Sequence, residues 1–186
     1  MVSGKRVCDV IGAAILLVGT APLLAAAVIV LLAGGVRPVL WRSFRLGRDG
    51  RPFTLLMLRT MQVRDGSPAT PRLTPVGRIV RAVSFDHLPM LINVVRGDLS
   101  LVGPRPMEPE RVDLADPRWR EVLTVRPGLV SYAILSLGPR YNAAPPSTRL
   151  NLEVHYVERA GVVFDARLLG RAAVRYLASR GNVKAR

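Results

Sequence analysis

Asp86 and His87 place a carboxylate beside an imidazole, in a stretch that also holds Arg72, Arg78, Arg81, Arg96 and Arg105. A carboxylate can attack phosphorus or accept a proton, and guanidinium groups match phosphate oxygens in pairs. The combination outlines a polyanion site with a nucleophile in it. Each residue also has a plainer role: an aspartate ahead of a helix caps free amides, and a lone arginine is a solvated charge. The arginines outnumber what a helix cap requires.

The elements that must hold these groups can be read from spacing. A helix is expected from near Ser84 through Val95. Pro89 limits its start, because a proline without an N–H is tolerated only in the first turn. The start is therefore expected between Ser84 and His87, which sets Asp86 and His87 at a helix N-terminus, where unpaired amides and the helix dipole attract phosphate. Two rigid turns each carry an arginine: Gly103, Pro104, Arg105, Pro106, and Arg126, Pro127, Gly128. Val39 to Leu46 and Phe53 to Leu58 read as a hairpin closed by Gly47 to Gly50. Val63 to Thr74 reads as a surface loop, and Val76 to Val83 has helical spacing.

Near the C-terminus Arg167, Arg171 and Arg175 recur every four residues, with Phe164, Leu168, Leu169, Ala172, Tyr176 and Leu177 on an apolar side. Such an amphipathic helix either lies on a membrane surface or packs on the core with a solvated basic face.

The net charge of +14 accompanies 49% hydrophobic residues, which argues against disorder and against an ordinary cytosolic domain. The partners should be anionic. From Val10 to Val36 no residue is charged, a run exceeding the ~20 residues that cross a hydrocarbon core. A signal peptide's apolar core is shorter, ~7 to 15 residues. Lys5 and Arg6 precede the run while Arg37, Arg42, Arg45 and Arg48 follow it, so both ends carry charge that favours the cytoplasm. Pro22 stands mid-run, where it removes a backbone donor. Two topologies satisfy this: a helix that enters, bends and returns, or a Pro-kinked single span with a short external tail. Cys8 is the only cysteine, which excludes an intrachain disulfide; a small buried hydrophobe is its expected role.

The run Ser84-Phe85-Asp86-His87-Leu88-Pro89, then Asn93 and Val94, then Gly97 through Pro106, resembles the bacterial sugar transferases, or monotopic phosphoglycosyl transferases. The resemblance extends to Lys5, Arg6, Asp9, Pro22, Gly47 to Phe53, Arg59 to Met61, Gly77, Arg126 to Gly128, Tyr156 and Asp165. It implies a mixed α/β fold: residues 1–36 form a re-entrant, Pro-kinked membrane helix, and residues 37–186 form a small catalytic domain at the cytoplasmic face of the bacterial inner membrane, ending in the amphipathic helix. It also implies a ping-pong reaction. Asp86 attacks the sugar-bearing phosphate of a nucleotide sugar, usually a UDP-sugar, and a polyprenyl phosphate then takes up the phosphosugar, which starts polysaccharide or glycoconjugate assembly. On this resemblance Asp86 and His87 are the catalytic and metal candidates. Arg59, Arg72, Arg78, Arg105 and Arg126 are the phosphate and substrate candidates, Pro22, Gly103, Pro104, Pro106, Pro127 and Gly128 are structural, and Mg²⁺ or another divalent metal assists.

The chain departs from the family pattern at several points. His87 replaces the glutamate that follows the nucleophile, Met57 a common lysine, Tyr132-Ala133-Ile134 the Trp-Ala-Gln after the Pro-Gly turn, and Ala21 the serine before Pro22. Imidazole suits transition metals better than Mg²⁺, so His87 should weaken Mg²⁺ binding. Three accounts follow: an active enzyme with altered donor or metal preference, in which His87 orients or protonates a phosphate oxygen; an inactive homologue serving as a membrane scaffold or partner protein; and His87 as a plain exposed helix residue, which is compatible with either. A basic nucleic-acid-binding module is the rival from another class, but no nucleic-acid motif is present and such a module needs no long uncharged run. The expected partners are a nucleotide-sugar donor, a polyprenyl-phosphate acceptor and membrane lipid, without nucleic acid.

Overall fold

The computed structural model describes residues 2–62, 72–82 and 84–181. Helix α1 spans Val2–Ala33, with Pro22 inside it, and is roughly 48 Å long at the 1.5 Å rise of an α-helix. One side of α1 meets protein along its whole length. Ala13 is buried in a core cluster with Leu91, Val94, Leu99 and Leu101, while Ala27 and Leu31 are buried in a second cluster with Val36, Leu58 and Val80. The other side is bare and apolar: Val7, Ile11, Ile15 and Val18 form a stripe, with Val18 76% exposed, and Leu23, Ile29 and Val30 continue it. Gly4–Ala33 is long and apolar enough to cross a membrane. Cys8 lies on the surface, which corrects the expected burial.

Polar groups fasten the first turns of α1. Asp9 is buried and accepts from the Ser100 hydroxyl (2.7 Å) and the Leu101 amide (3.1 Å). Lys5 donates to the Val102 carbonyl (3.1 Å) and to Asp165, and the Tyr156 hydroxyl lies 2.8 Å from the other Asp165 oxygen. Burial, with Asp165 adding to it, pushes the Tyr156 phenol far up, so it stays a hydrogen-bond donor. Four residues that carried the family resemblance thus form one buried network that fixes α1 to the domain.

The hairpin forms as expected. Strand β1 (Leu40–Leu46) pairs antiparallel with β2 (Pro52–Leu58), from Leu40 opposite Leu58 to Leu46 opposite Pro52. A short antiparallel pair follows, β3 (Met61–Gln62) with β4 (Arg72–Leu73), so the expected Val63 to Thr74 loop ends in a strand; residues 63–71 lie outside the described residues. Helix α2 covers Pro75–Ala82, its Thr74 side chain accepting the Gly77 amide (2.9 Å).

The next element begins later than the sequence suggests. Phe85–His87 is a single 3-10 turn entered through Ser84 in a left-handed conformation (φ 57°), and α3 covers Met90–Arg96. Pro89 has no N–H to give to Phe85, so the α-helical ladder starts only after it. Asp86 therefore sits in a tight turn ahead of α3, not at an α-helical N-terminus.

Asn93 joins α3 to the hairpin. Its fully buried side chain accepts from the Leu56 amide (3.0 Å) and donates to the Thr54 carbonyl (2.8 Å) and to Asp98 (3.0 Å), as a neighbouring strand would. Strand β5 (Ser100–Val102) then pairs parallel with β6 (Gly128–Val130). The two arginine-bearing turns cross here. The Gly128 amide donates to the Pro104 carbonyl (2.8 Å), and a Cβ on Gly128 would lie 2.0 Å from the Gly103 nitrogen, so the crossing needs glycine.

Helices α4 (Pro117–Val122) and α5 (Tyr132–Leu137) start at Asp116 and Ser131, whose side chains accept the amides of Arg118 and Ile134. Helices α6 (Pro146–Arg159) and α7 (Val162–Gly181) close the fold. The amphipathic expectation for α7 holds in part: Leu168 is buried and Phe164 packs on the core, but Leu169 and Tyr176 are exposed. The described residues thus form a mixed helix and sheet fold in which every sheet is two-stranded.

Candidate active site

The turn that carries Asp86 is held between α2, β2 and α1, with Phe85 packed against the cluster of Leu31, Leu58 and Val80. That packing turns the Asp86 side chain inward, where it is 2% exposed. Among the described residues no backbone amide donates to the carboxylate. Its Oδ1 lacks a hydrogen-bond donor of acceptable geometry, although His87 Nδ1 stands 3.1 Å away, and its Oδ2 lies 3.6 Å from Arg81 Nε. Arg81 and His87 are half exposed. Asp86 is therefore a buried carboxylate with one oxygen left without a hydrogen bond, facing two half-exposed side chains, Arg81 and His87.

The other sequence candidates fall into separate groups. Arg59 lies over the Trp41 ring (5.1 Å) and lines a cavity of about 840 Å³ with Arg42, Leu24, Val28 and Pro89, three residues beyond Asp86. Arg78 is on the exposed side of α2, so it is Arg81, one turn on, that reaches the carboxylate. Arg72 belongs to β4, and its side chain lies outside the described residues.

Arg126 and Arg105 do not close a ring around Asp86. Arg126 donates to the Gly97 carbonyl (2.8 Å) just past the C-terminal end of α3, whereas Asp86 lies ahead of its other end, and the helix between them is roughly 10 Å long at 1.5 Å per residue. Arg105 lies over the Tyr141 ring (5.2 Å) in another cavity, of about 360 Å³. That region belongs to the turn end of the hairpin, since the Leu46 amide donates to the Met107 carbonyl (3.0 Å), whereas Phe85 packs at the Leu58 end, roughly 20 Å away at ~3.3 Å per strand residue. Adjacent turns in the fold bring the two arginines close to each other's backbone; they do not bring either to the carboxylate.

The same cavity contains a residue that sequence reasoning missed. Glu153 on α6 is buried, with Oε1 accepting from the Ser131 hydroxyl (2.8 Å) and the Arg105 amide (3.1 Å), and with Oε2 buried and unpaired. Burial pushes its carboxyl up to about 7, against the opposing pull of those two hydrogen bonds and the Arg105 charge. Nothing in the local sequence marks it, because Glu153 reads as one acid on a polar helix.

Among the described residues no group of three or more His, Cys, Asp or Glu side chains is placed to hold a metal ion. Asp86 and His87 offer one hard oxygen donor group and one imidazole, with Arg81 beside them, a set that does not fit Mg²⁺.

Comparison with known proteins decides what this turn belongs to. The family model for bacterial sugar transferases matches residues 2–179. This chain belongs to the bacterial sugar transferase family. It is 44% identical over 139 residues to a UDP-glucose:undecaprenyl-phosphate glucose-1-phosphate transferase of Caulobacter vibrioides, a match covering 69% of this chain and 52% of that protein. It is 34% identical over 182 residues to the uncharacterized sugar transferase EpsL of Bacillus subtilis, covering 95% of this chain and 89% of the other. It is also 30% identical over 176 residues to a UDP-N-acetylgalactosamine-undecaprenyl-phosphate N-acetylgalactosaminephosphotransferase of Aeromonas hydrophila, covering 87% of this chain and 40% of that protein. The matched region thus spans about half the length of the Caulobacter relative and most of the Bacillus one.

Proposed function

We propose that this sugar transferase moves a sugar phosphate from a nucleotide sugar, of the UDP class, to a polyprenyl phosphate, with Asp86 as the nucleophile. The observation that carries the reading is the family match along nearly the whole chain, together with relatives whose names specify undecaprenyl-phosphate transfer. Asp86 suits the role chemically, because a carboxylate with an unpaired oxygen has a lone pair to use. Its Oδ1 attacks the phosphorus that bears the sugar, the bond from that phosphorus to the nucleoside monophosphate oxygen breaks, and the nucleotide leaves with that electron pair. An oxygen of the polyprenyl phosphate then attacks the same phosphorus and the Asp86 carboxylate departs. Two easier exchanges replace one difficult one.

Arg81 offsets charge on the transferring phosphoryl group, and His87 bonds one of its oxygens once the two side chains have turned outward. Arg59 and Arg42 hold the acceptor phosphate in the cavity beside Pro89, whose Leu24 and Val28 wall takes the polyprenyl chain. Arg72, Arg78, Arg105 and Arg126 remain proposed contacts to the donor, the last two requiring it to extend well away from Asp86. The residues around Asp86 do not fit Mg²⁺, and Arg81 and His87 are the groups that meet the charge there.

The membrane geometry follows from where α1 is fastened. A helix crossing the bilayer would carry one end away from the domain, but Lys5, Asp9 and Ala13 near one end and Ala27 and Leu31 near the other dock on the same domain. We infer that α1 lies in one leaflet, with its bare stripe in lipid and the domain at the cytoplasmic face of the inner membrane, where the basic residues at both ends favour it.

Intact mass after incubation with UDP-glucose and with UDP-N-acetylgalactosamine tests the reading. A phosphosugar adduct is expected on the wild type and absent from Asp86→Asn. An adduct of equal yield on Asp86→Asn would remove Asp86 as nucleophile. If radiolabelled nucleotide sugars gave no transfer to protein or to polyprenyl phosphate in membranes, the scaffold account would replace this one.

A further inference from the structure

At the end of α3 remote from Asp86 lies a cavity of about 790 Å³, framed by the first turn of α1, residues 124–126 and the start of α7. Its cationic residues are Lys5, Arg6, Arg48, Arg126, Arg159 and Arg167. Few of these charges are neutralised. Lys5 pairs with Asp165, and Asp9 is engaged by Ser100 and Leu101. Arg6 donates to the Val94 and Val95 carbonyls (2.7 and 3.0 Å) and Arg126 to Gly97, bonds that fix two guanidiniums side by side without cancelling their charge. The only carboxylates that Arg48 and Arg159 meet among the described residues are exposed ones, Asp49 at 3.4 Å and Glu158 at 3.6 Å, contacts that water and salt screen, and Arg159 also lies 2.6 Å from the His155 ring nitrogen Nδ1. Arg167 has no carboxylate partner among the described residues.

Most of the remaining lining is apolar. Val162, Val163 and Phe164 line the cavity, and Val163 is 67% exposed at its lip. The bare stripe of α1 begins within a turn of Gly4 and Lys5, at Val7. A cationic floor with an apolar lip, opening beside a lipid-facing helix, matches a molecule with a phosphate at one end and hydrocarbon at the other.

We propose that this cavity binds an anionic glycerophospholipid of the surrounding bilayer, with its headgroup phosphate against Arg126, Arg159 and Arg167 and its chains leaving over Val162 and Val163. Free phosphate would have no use for the apolar lip. A polyprenyl phosphate held here would stand at the wrong end of α3 for reaction with Asp86. The bound lipid joins the first turn of α1 to the start of α7 and so sets how deeply the domain sits in the interface. Arg126 lines this cavity and is also a proposed donor contact; apart from it, the site shares with the proposed function only the premise that α1 lies in a membrane.

Native mass spectrometry of the full chain, released from phosphatidylcholine nanodiscs doped with phosphatidylglycerol, tests it. The wild type should retain one phosphatidylglycerol in preference to phosphatidylcholine. Arg159→Gln with Arg167→Gln should weaken retention by about fivefold per arginine, the usual effect of one basic residue at an anionic surface. Arg120→Gln with Arg140→Gln changes the net charge equally outside the cavity and should alter retention less than twofold. Val163→Asp, which leaves every cation in place and puts a charge at the lip, should also weaken retention, and it keeps the test decisive if the arginine pair fails to fold.

Four results would overturn the site: no preference for phosphatidylglycerol, equal losses in the two arginine pairs, displacement of the lipid by millimolar inorganic phosphate, or replacement by polyprenyl phosphate at equal mole fraction. Loss of vesicle flotation altogether would refute the membrane premise instead. Flotation without retained lipid would refute this site alone.

Discussion

Glu153→Gln removes a buried acid while keeping the oxygen that the Ser131 hydroxyl and the Arg105 amide use. In the folded protein this carboxyl is pushed up to about 7, whereas its ordinary value is 4.5. Below pH 4.5 both folded and unfolded chains hold the proton, and Glu153 adds no pH dependence. Between 4.5 and 7 only the folded chain holds it, so rising pH favours unfolding, at about 1.4 kcal/mol per pH unit. The accumulated loss is about 3 kcal/mol by pH 8, an order-of-magnitude figure. For a chain of this size that corresponds to a melting midpoint lower by roughly 6–12 °C. The assay is thermal unfolding in one detergent from pH 4.5 to 8, wild type beside Glu153→Gln. Their midpoints should nearly coincide at pH 4.5 and separate as pH rises, the variant becoming the more stable. Curves that stay parallel across the range would refute the argument that burial controls this acid.

Other consequences can be checked on the same preparation. Asn93→Ala leaves the Leu56 amide and Thr54 carbonyl unpaired, and should destabilise by about 2–4 kcal/mol in denaturant unfolding, more than an exposed Asn151→Ala. Gly128→Ala forces a Cβ against the Gly103 backbone, and should lower the melting midpoint or abolish soluble expression, a loss of at least about 1–3 kcal/mol. His87→Glu supplies a second hard oxygen donor beside Asp86, and should increase the Mg²⁺ dependence of adduct formation; an unchanged metal titration would count against His87 as the residue that sets it.

What the sequence determined by itself was local or came from an ordered motif. The hairpin was legible because its apolar runs are closed by Gly47 to Gly50, and the long apolar helix because charge is absent from Val10 to Val36. The family was legible because many short matches occur in order along the chain, and the match over residues 2–179 agrees. The start of α3 was misplaced because the proline rule admits several first turns, and the left-handed Ser84 selects a 3-10 turn.

Tertiary structure alone decided which of the arginines meets Asp86. Arg72, Arg78, Arg81, Arg96 and Arg105 were read as one polyanion site with Asp86, but among the described residues only Arg81 pairs with the carboxylate, while Arg105 lies over the Tyr141 ring in a separate cavity. The same three-dimensional folding made Glu153 a buried acid and joined Lys5, Asp9, Tyr156 and Asp165 into one network. Burial and charge pairing between residues distant in the chain depend on how the elements pack, and a one-dimensional pattern does not contain that.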